Sequence, residues 1–235
     1  MAFDPTKYTM ASARPLPVIL LLDRSGSMYG EKIATLNAAT NEMIESFKTA
    51  GKGEVDIHLA VISFGEGGAT YDLPLQSVKT INEIALEANG ITPMGAALRM
   101  AKDLIEDKET IPSKGYRPAV VLVSDGAPND EWQRPMQDFV GGGRSSKCER
   151  FAMAIGTTAD DPVLNQFLSG TGNKVFLANQ ADQIRDFFKF VTMSVSVRSR
   201  SQNPNALIPA ANNPSDSSTI EDLAKEIGLG DLFKA

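Results

Sequence analysis

Two uninterrupted apolar segments that each end in aspartate constrain the fold of this chain more than any other feature. Residues 17–23 read PVILLLD and residues 119–125 read AVVLVSD. Because neither segment alternates with polar residues, each is typical of a central strand that is covered on both faces of a parallel sheet. Such sheets belong to α/β domains, so an α/β fold is predicted.

Amphipathic segments of helix length separate further apolar segments, as in sheets built with crossover helices. Further strands are predicted over residues 55–64, 70–78, 150–155 and 174–177, and helices over about residues 33–50, 94–109, within 129–146, 161–168 and 181–197. The glycine-rich turn at residues 65–68 is too short for a crossover, so the strands beside it should pair antiparallel, and Pro74 suits an edge strand. The prediction is an open, doubly wound, mostly parallel sheet of about six strands, with one antiparallel edge strand and helices on both faces.

Composition limits the classes of function. The net charge is −6 and the basic residues are scattered, which argues against nucleic-acid binding. The N-terminal residues do not resemble a signal peptide, and no segment is long enough to span a bilayer. Together with a single cysteine, Cys148, which is expected to be a buried apolar residue, these features predict a cytoplasmic protein.

Three loops carry oxygen-bearing side chains to the sheet edge where parallel strands end. Asp23, Ser25 and Ser27 alternate in the first loop, so an extended turn can direct a carboxylate and two hydroxyls to one point. Thr92 precedes a helix in the second loop, and Asp125 begins the third. Magnesium prefers oxygen ligands and keeps several waters, so these residues would leave a coordination position open to an outside carboxylate.

Each of these features also has a purely structural interpretation. A strand-terminal aspartate often caps a helix, and serine and glycine are common in turns. His58, the only histidine, is expected to be structural because it lies within a strand with Asp56 on the same face. Trp132 follows the third loop, and the sequence leaves open whether it belongs to the core or to an exposed rim.

The loops resemble those of the von Willebrand factor A domains, and the resemblance covers roughly residues 16–197. Members of that family combine a D-x-S-x-S motif, a later threonine and a strand-terminal aspartate in a metal-ion-dependent adhesion site on a Rossmann-like fold. The resemblance implies Asp23, Ser25, Ser27 and Thr92 as direct ligands, and Asp125 as a ligand that can act through water. It implies that the bound ion is Mg²⁺, with Mn²⁺ and Ca²⁺ left open. It also implies a protein partner that supplies a Glu or Asp side chain to the ion.

The loop sequences DRSGSM, GITPMGAAL and SDGAPNDEW are most similar to those of bacterial intracellular members, especially the tellurite-resistance TerY-like proteins. That similarity implies an adaptor in a stress-response or phosphorylation-linked system, with a kinase or phosphatase of the same gene set as a candidate partner. Arg24 departs from the small or apolar residue often found at its position, and its charge could either crowd the rim or hold an acidic partner.

An enzyme is the alternative. An aspartate at the end of a first strand beside magnesium also begins aspartyl-phosphate chemistry in the haloacid-dehalogenase hydrolases. Those enzymes use D-x-D, whereas Ser25 stands where the second acid would be, which weakens proton transfer to a leaving group. The chain also lacks a G-x-S-x-G elbow. A non-enzymatic adaptor is therefore predicted, with a magnesium-dependent phosphoryl hydrolase using Asp23 as the alternative.

The sequence predicts four regions: an N-terminal extension (1–15), the α/β domain (16–197), a flexible linker (198–218) and a short amphipathic helix or tail (219–235). Ile220, Leu223 and Ile227 share one face of that helix, which is too short to be stable alone in water. It could pack on its own domain, on a partner or on a second copy of the chain.

Overall fold

The computed structural model describes residues 14–50, 55–156 and 161–200. Within them, six strands form one sheet in the order β3-β2-β1-β4-β5-β6. The strands are β1 (Arg14–Asp23), β2 (Val55–Gly65), β3 (Gly68–Ser77), β4 (Ala119–Ser124), β5 (Glu149–Ile155) and β6 (Phe176–Ala178). Strand β3 pairs antiparallel with β2, and the other neighbours pair in parallel. The predicted mostly parallel sheet with an antiparallel edge strand is confirmed, and Pro74 lies in that edge strand.

Helices cover both faces of the sheet, as predicted. The α-helices are α1 (Glu31–Ala50), α2 (Met94–Glu106), α3 (Gln133–Gly141), α4 (Pro162–Phe167) and α5 (Ala181–Arg200). Alternate side chains of β1 enter opposite cores: Leu20 packs in the core that α1 and α5 cover, and Leu21 packs in the core that α2, α3 and α4 cover. This two-sided burial is the physical reason for the uninterrupted apolar run in β1.

Several boundaries differ from the prediction by a few residues. Strand β1 already begins at Arg14, because Arg14 pairs with Val55 of β2. Helix α2 ends at Glu106 instead of about residue 109, because the Asp107 carboxylate accepts hydrogen bonds from Glu109 N and Thr110 Oγ1 and forms a turn. Strand β6 covers residues 176–178 instead of 174–177, and α5 continues three residues past the predicted boundary at 197.

The predicted placement of two single residues is confirmed, and one open question is answered. His58 Nε2 lies 3.0 Å from Asp56 Oδ2 on the same face of β2, and Cys148 is buried. Trp132 is partly buried against the core beneath α2 and α3. Residues 1–13 of the predicted extension, most of the predicted linker and the whole predicted tail lie outside the described residues. No helix of the described part combines the length and apolar character that a membrane span requires.

Candidate metal centre

The candidate site begins where two neighbouring parallel strands end. Strand β1 ends with Asp23, and β4 ends with Ser124, immediately before Asp125. Because β1 and β4 pair directly in parallel, both aspartates reach the same edge of the sheet. The strand pairing therefore brings together two carboxylates that are far apart in the sequence.

The Asp23 carboxylate is fully buried and held in one orientation. Its Oδ1 accepts the Ser25 backbone N–H at 2.8 Å, and its Oδ2 accepts the Ser124 hydroxyl at 2.6 Å. Burial raises the pKa of Asp23, and the nearby Asp125 acts in the same direction, while the hydrogen bonds from Ser124 and Ser25 oppose the shift. A cation bound at this point would offset the unfavourable burial of the charge.

A chain of side-chain contacts connects the first loop to the third. Ser25 Oγ lies 3.0 Å from Ser27 Oγ, and Ser27 Oγ donates to Asp125 Oδ1 at 2.6 Å. Ser25 and Asp125 are buried, whereas Ser27 is exposed, so the group opens to solvent at Ser27. The structure therefore brings four of the five predicted ligands, Asp23, Ser25, Ser27 and Asp125, into one hydrogen-bonded group.

Thr92 is buried in the second loop, and backbone hydrogen bonds join this loop to the first. Gly26 N donates to Gly90 O at 3.0 Å, and Asn89 N donates to Arg24 O at 2.7 Å. Gly90 has a φ of +80°, and a Cβ there would lie 2.5 Å from Glu66 N and Cα. Glycine is therefore required both for the backbone conformation and for the close approach to the β2–β3 turn.

Two residues that no sequence pattern singled out hold the second loop against the third. Asn129 Oδ1 accepts the Thr92 N–H at 2.9 Å, and Asn129 N donates to Thr92 O at 3.1 Å. The Asp130 carboxylate accepts the N–H groups of Gly95 and Ala96 at the start of α2. Asp130 thus caps a helix that lies far from it in the sequence, so no local capping pattern could reveal it. The only sequence signal for either residue was its position in the SDGAPND segment.

Two cationic side chains near the site have different partners. The Arg24 guanidinium donates to Ser63 Oγ and to Glu66 O, both at 3.0 Å, so it is bound to β2 and the β2–β3 turn. Lys32, in the first turn of α1, places Nζ 2.5 Å from Asp125 Oδ2 and 3.3 Å from Ser27 O. No sequence signal pointed to Lys32, because nothing in its local pattern indicates a contact with Asp125, in the loop that follows β4.

The donor atoms suit a hard divalent cation. The described residues contain no cluster of three or more His, Cys, Asp or Glu side chains that could hold a metal, so an ion here would depend on hydroxyl as well as carboxylate oxygens. Magnesium, manganese and calcium prefer oxygen donors, whereas zinc favours histidine and cysteine. The residues present therefore fit the group that the loop motifs imply.

Two large apolar side chains next to the first and second loops in the sequence are exposed. Among the described residues, the exposed large hydrophobic side chains are Tyr29 (82% exposed), Ile91 (58%) and Tyr71 (40%). Tyr29 follows the first loop and Ile91 precedes Thr92 in the second, and the Gly26–Gly90 hydrogen bond joins these two loops. The chain therefore exposes apolar groups next to ligand residues of two joined loops, as is common where another protein binds.

Comparison with known proteins gives one family and a set of distant structural relatives. A sequence profile described as the von Willebrand factor type A domain matches residues 18–190. Among curated protein sequences, none matches the chain.

Solved structures share the fold at low identity. The pilus adhesin SpaC from Lactobacillus rhamnosus GG has a TM-score of 0.59 at 16% identity, covering 79% of this chain and 30% of that chain. Proximal thread matrix protein 1 from the mussel byssus has a TM-score of 0.58 at 19% identity, covering 77% and 48%. A von Willebrand factor type A protein from Catenulispora acidiphila has a TM-score of 0.53 at 20% identity, covering 76% and 42%. The chain spans less than half the length of each, and the similarity concerns the fold.

Proposed function

The chain belongs to the von Willebrand factor type A domain family, which commonly serves in protein interactions, and on this basis we propose that it is a metal-dependent adaptor. The proposed ligands of the divalent ion are Asp23, Ser25, Ser27, Thr92 and Asp125. The ion is proposed to be Mg²⁺, with Mn²⁺ and Ca²⁺ as alternatives. A partner protein supplies a Glu or Asp carboxylate to the open coordination position.

The observation that carries this proposal is the hydrogen-bonded group around the buried Asp23 carboxylate. Asp23, Ser25, Ser27 and Asp125 are held together by hydrogen bonds among themselves, so their oxygens lie close enough to serve one ion. Three of the proposed ligands are neutral hydroxyls. A bound divalent ion would therefore retain affinity for an outside anionic oxygen, which is the chemistry that the ion supplies.

The side chains around the opening support a protein as the partner. Tyr29 and Ile91 are exposed apolar side chains that lie near Ser27 and Thr92 in the sequence, and apolar residues of this kind often act as anchors in protein interfaces. The expected partner surface therefore carries an acidic side chain flanked by apolar residues. The amino-acid sequences of the loops support a bacterial stress-response, tellurite-resistance or phosphorylation-linked system. A kinase or phosphatase of that system is a candidate partner. The cytoplasmic location stays a prediction.

The hydrolase alternative is less well supported. Asp23 is fully buried, which hinders the approach of a bulky phosphoryl group to its oxygens more than the entry of a small ion. Ser25 also leaves the site without the second acid of such enzymes. We therefore expect no turnover of phosphate esters with either Mg²⁺ or Mn²⁺.

Calorimetric titration of Mg²⁺ and Mn²⁺ into the metal-free protein tests the metal site. We expect binding at one site in the wild type, loss of binding in Asp23→Asn, and unchanged binding in Asp138→Asn, which alters an exposed carboxylate on α3. If neither metal binds, or if Asp23→Asn binds as the wild type does, the three loops are only turns and helix caps.

The open coordination position is tested with acetate as a carboxylate probe. Acetate added to the Mn²⁺-loaded protein should displace metal-bound water, which is measured as a fall in water-proton relaxation. Acetamide, which is neutral, is the matched control and should have little effect. Unchanged relaxation at saturating acetate would show that the ion does not accept an outside carboxylate.

A further inference from the structure

We propose that Lys32 is an internal counter-cation of the metal site, which holds the first and third loops together without metal and weakens their affinity for a divalent ion. This inference rests on the proposed function, because it concerns the same site. It adds a regulating residue that belongs to none of the three ligand loops.

The geometry places the Lys32 ammonium at the site. Its Nζ lies 2.5 Å from Asp125 Oδ2 and 3.3 Å from the Ser27 carbonyl oxygen. The Asp125 side chain is fully buried, and the Lys32 side chain is 38% exposed. Lys32 therefore spans from solvent to a buried carboxylate, where its charge is screened less than that of a surface pair.

The position of Lys32 in its helix supports a role at the site. Lys32 lies in the first turn of α1, where the helix dipole disfavours a positive charge. The contact with Asp125 offsets this unfavourable position.

Both oxygens of Asp125 are engaged. Ser27 Oγ donates to Oδ1, and Lys32 Nζ donates to Oδ2. A direct bond from an Asp125 oxygen to a metal ion would bring the ion closer to the Lys32 ammonium than contact through a water would. Lys32 thus favours the arrangement in which Asp125 acts through water.

Charge explains the expected effect on affinity. Asp23 and Asp125 bring two negative charges and Lys32 brings one positive charge, so the site is less negative than its carboxylates alone would make it. A divalent ion entering the site is repelled by the ammonium at short range in a partly buried environment. Removing the Lys32 charge should therefore tighten metal binding by at least about tenfold.

The test compares Lys32→Gln, Lys32→Arg and Lys48→Gln with the wild type. Lys48 is on the same helix and pairs with Glu45 at the surface, so its variant controls for the loss of a lysine from α1. Mn²⁺ affinity is measured by calorimetry, and the melting temperature is measured in EDTA. We expect Lys32→Gln to bind Mn²⁺ at least about tenfold more tightly. Its metal-free melting temperature should fall by about 2–4 °C, because the buried Asp125 loses its counter-charge.

The controls separate the charge from other effects of substitution. Lys32→Arg keeps the charge and should stay within about threefold of the wild-type affinity, and Lys48→Gln should match the wild type. If the wild type binds Mn²⁺ and Lys32→Gln binds it equally or more weakly, the inference is wrong while the proposed function stands. If no variant binds metal, the proposed function fails, and this inference fails with it.

Discussion

At the scale of single residues, the unusual feature is that Asp23 is a buried carboxylate next to a second one. Burial disfavours its charged form, so the folded protein holds a proton on Asp23 at a higher pH than the unfolded chain does. The contribution of Asp23 to folding stability therefore falls as the pH rises from near the ordinary value of 3.8 through the raised pKa. Above that range the metal-free protein bears the full cost of the buried charge.

The variant Asp23→Asn removes this cost. Its amide would occupy the place of Oδ2 and donate to Ser124 Oγ, while the Ser124 hydroxyl keeps Gly126 O as an acceptor at 3.1 Å. We expect metal-free Asp23→Asn to be at least as stable as the wild type at pH 7, with a difference that grows as the pH rises from 4. Urea unfolding in EDTA across this range measures it. A difference that does not change with pH would mean that Asp23 does not titrate in this way.

Cys148 is expected to be unreactive in the folded protein. Burial raises the pKa of its thiol to about 12, and its side chain packs in the core beneath α2, α3 and α4. At pH 8 almost no thiolate is present, and the sulfur is also shielded from reagents. A thiol reagent such as DTNB should react with the wild type only in denaturant, and with Cys148→Ser not at all. Rapid reaction of the native protein would contradict the burial.

At the scale of elements, the site depends on loops that are held to one another by hydrogen bonds and close contacts. Gly90 and Gly67 form a matched pair for testing this, because both have a φ of +80°. A Cβ at Gly67 would meet no neighbouring atom, whereas one at Gly90 would overlap the backbone of Glu66. The comparison therefore separates backbone strain from loss of the close loop contact.

We expect Gly67→Ala to cost about 1–2 kcal/mol of unfolding free energy, because alanine is strained at a positive φ. Gly90→Ala should cost at least about 1 kcal/mol more, because the second loop must also move away from Glu66. Only Gly90→Ala should weaken metal binding. Equal losses of stability in denaturant unfolding would show that the loop contact contributes little.

The Asp130 carboxylate acts as a cap for α2 from another loop. Pro93, the residue before the helix, has no side-chain cap, and Asp130 accepts the Gly95 and Ala96 N–H groups instead. We expect Asp130→Ala to lower the unfolding free energy by about 1 kcal/mol and to weaken metal binding, since Thr92 precedes that helix. Asp138→Ala, on the exposed side of α3, is the control and should change neither quantity.

At the scale of the whole molecule, the two helical layers pack on the sheet through apolar side chains, and buried ionic contacts add to this packing. Near the end of α5, Arg198 Nη1 lies 2.8 Å from Glu149 Oε2, and Arg198 Nη2 donates to Arg117 O at 2.6 Å. Arg198 is buried and Glu149 is nearly so. The pair therefore joins α5 to β5 and to the residues that precede β4.

Breaking this pair from one side should be more harmful than replacing both partners. Arg198→Met leaves Glu149 buried without its counter-charge, which typically costs about 3–5 kcal/mol. The double variant Arg198→Met with Glu149→Gln should recover part of that loss. A double-mutant cycle in denaturant unfolding measures the coupling, and additive losses would show that the two side chains are energetically independent.

The sequence by itself determined the architecture and the identity of the candidate ligands. Uninterrupted apolar segments are diagnostic of strands buried on both faces, so β1, β4 and the aspartates at or just after their ends could be recognised locally. The alternation of Asp23, Ser25 and Ser27 is likewise a local pattern. Their role in metal binding stays a prediction, as do the roles of Thr92 and Asp125.

Only the tertiary structure decided which residues surround those ligands. Lys32, Asn129 and Asp130 reach partners that are distant in sequence, and their contacts depend on which strands are neighbours and where each loop bends. Charged and polar side chains are common in exposed helices and loops, so no period or spacing singles them out. Such contacts form only when the chain is folded, because they depend on which side chains lie close in space and not on which residues are neighbours in the sequence.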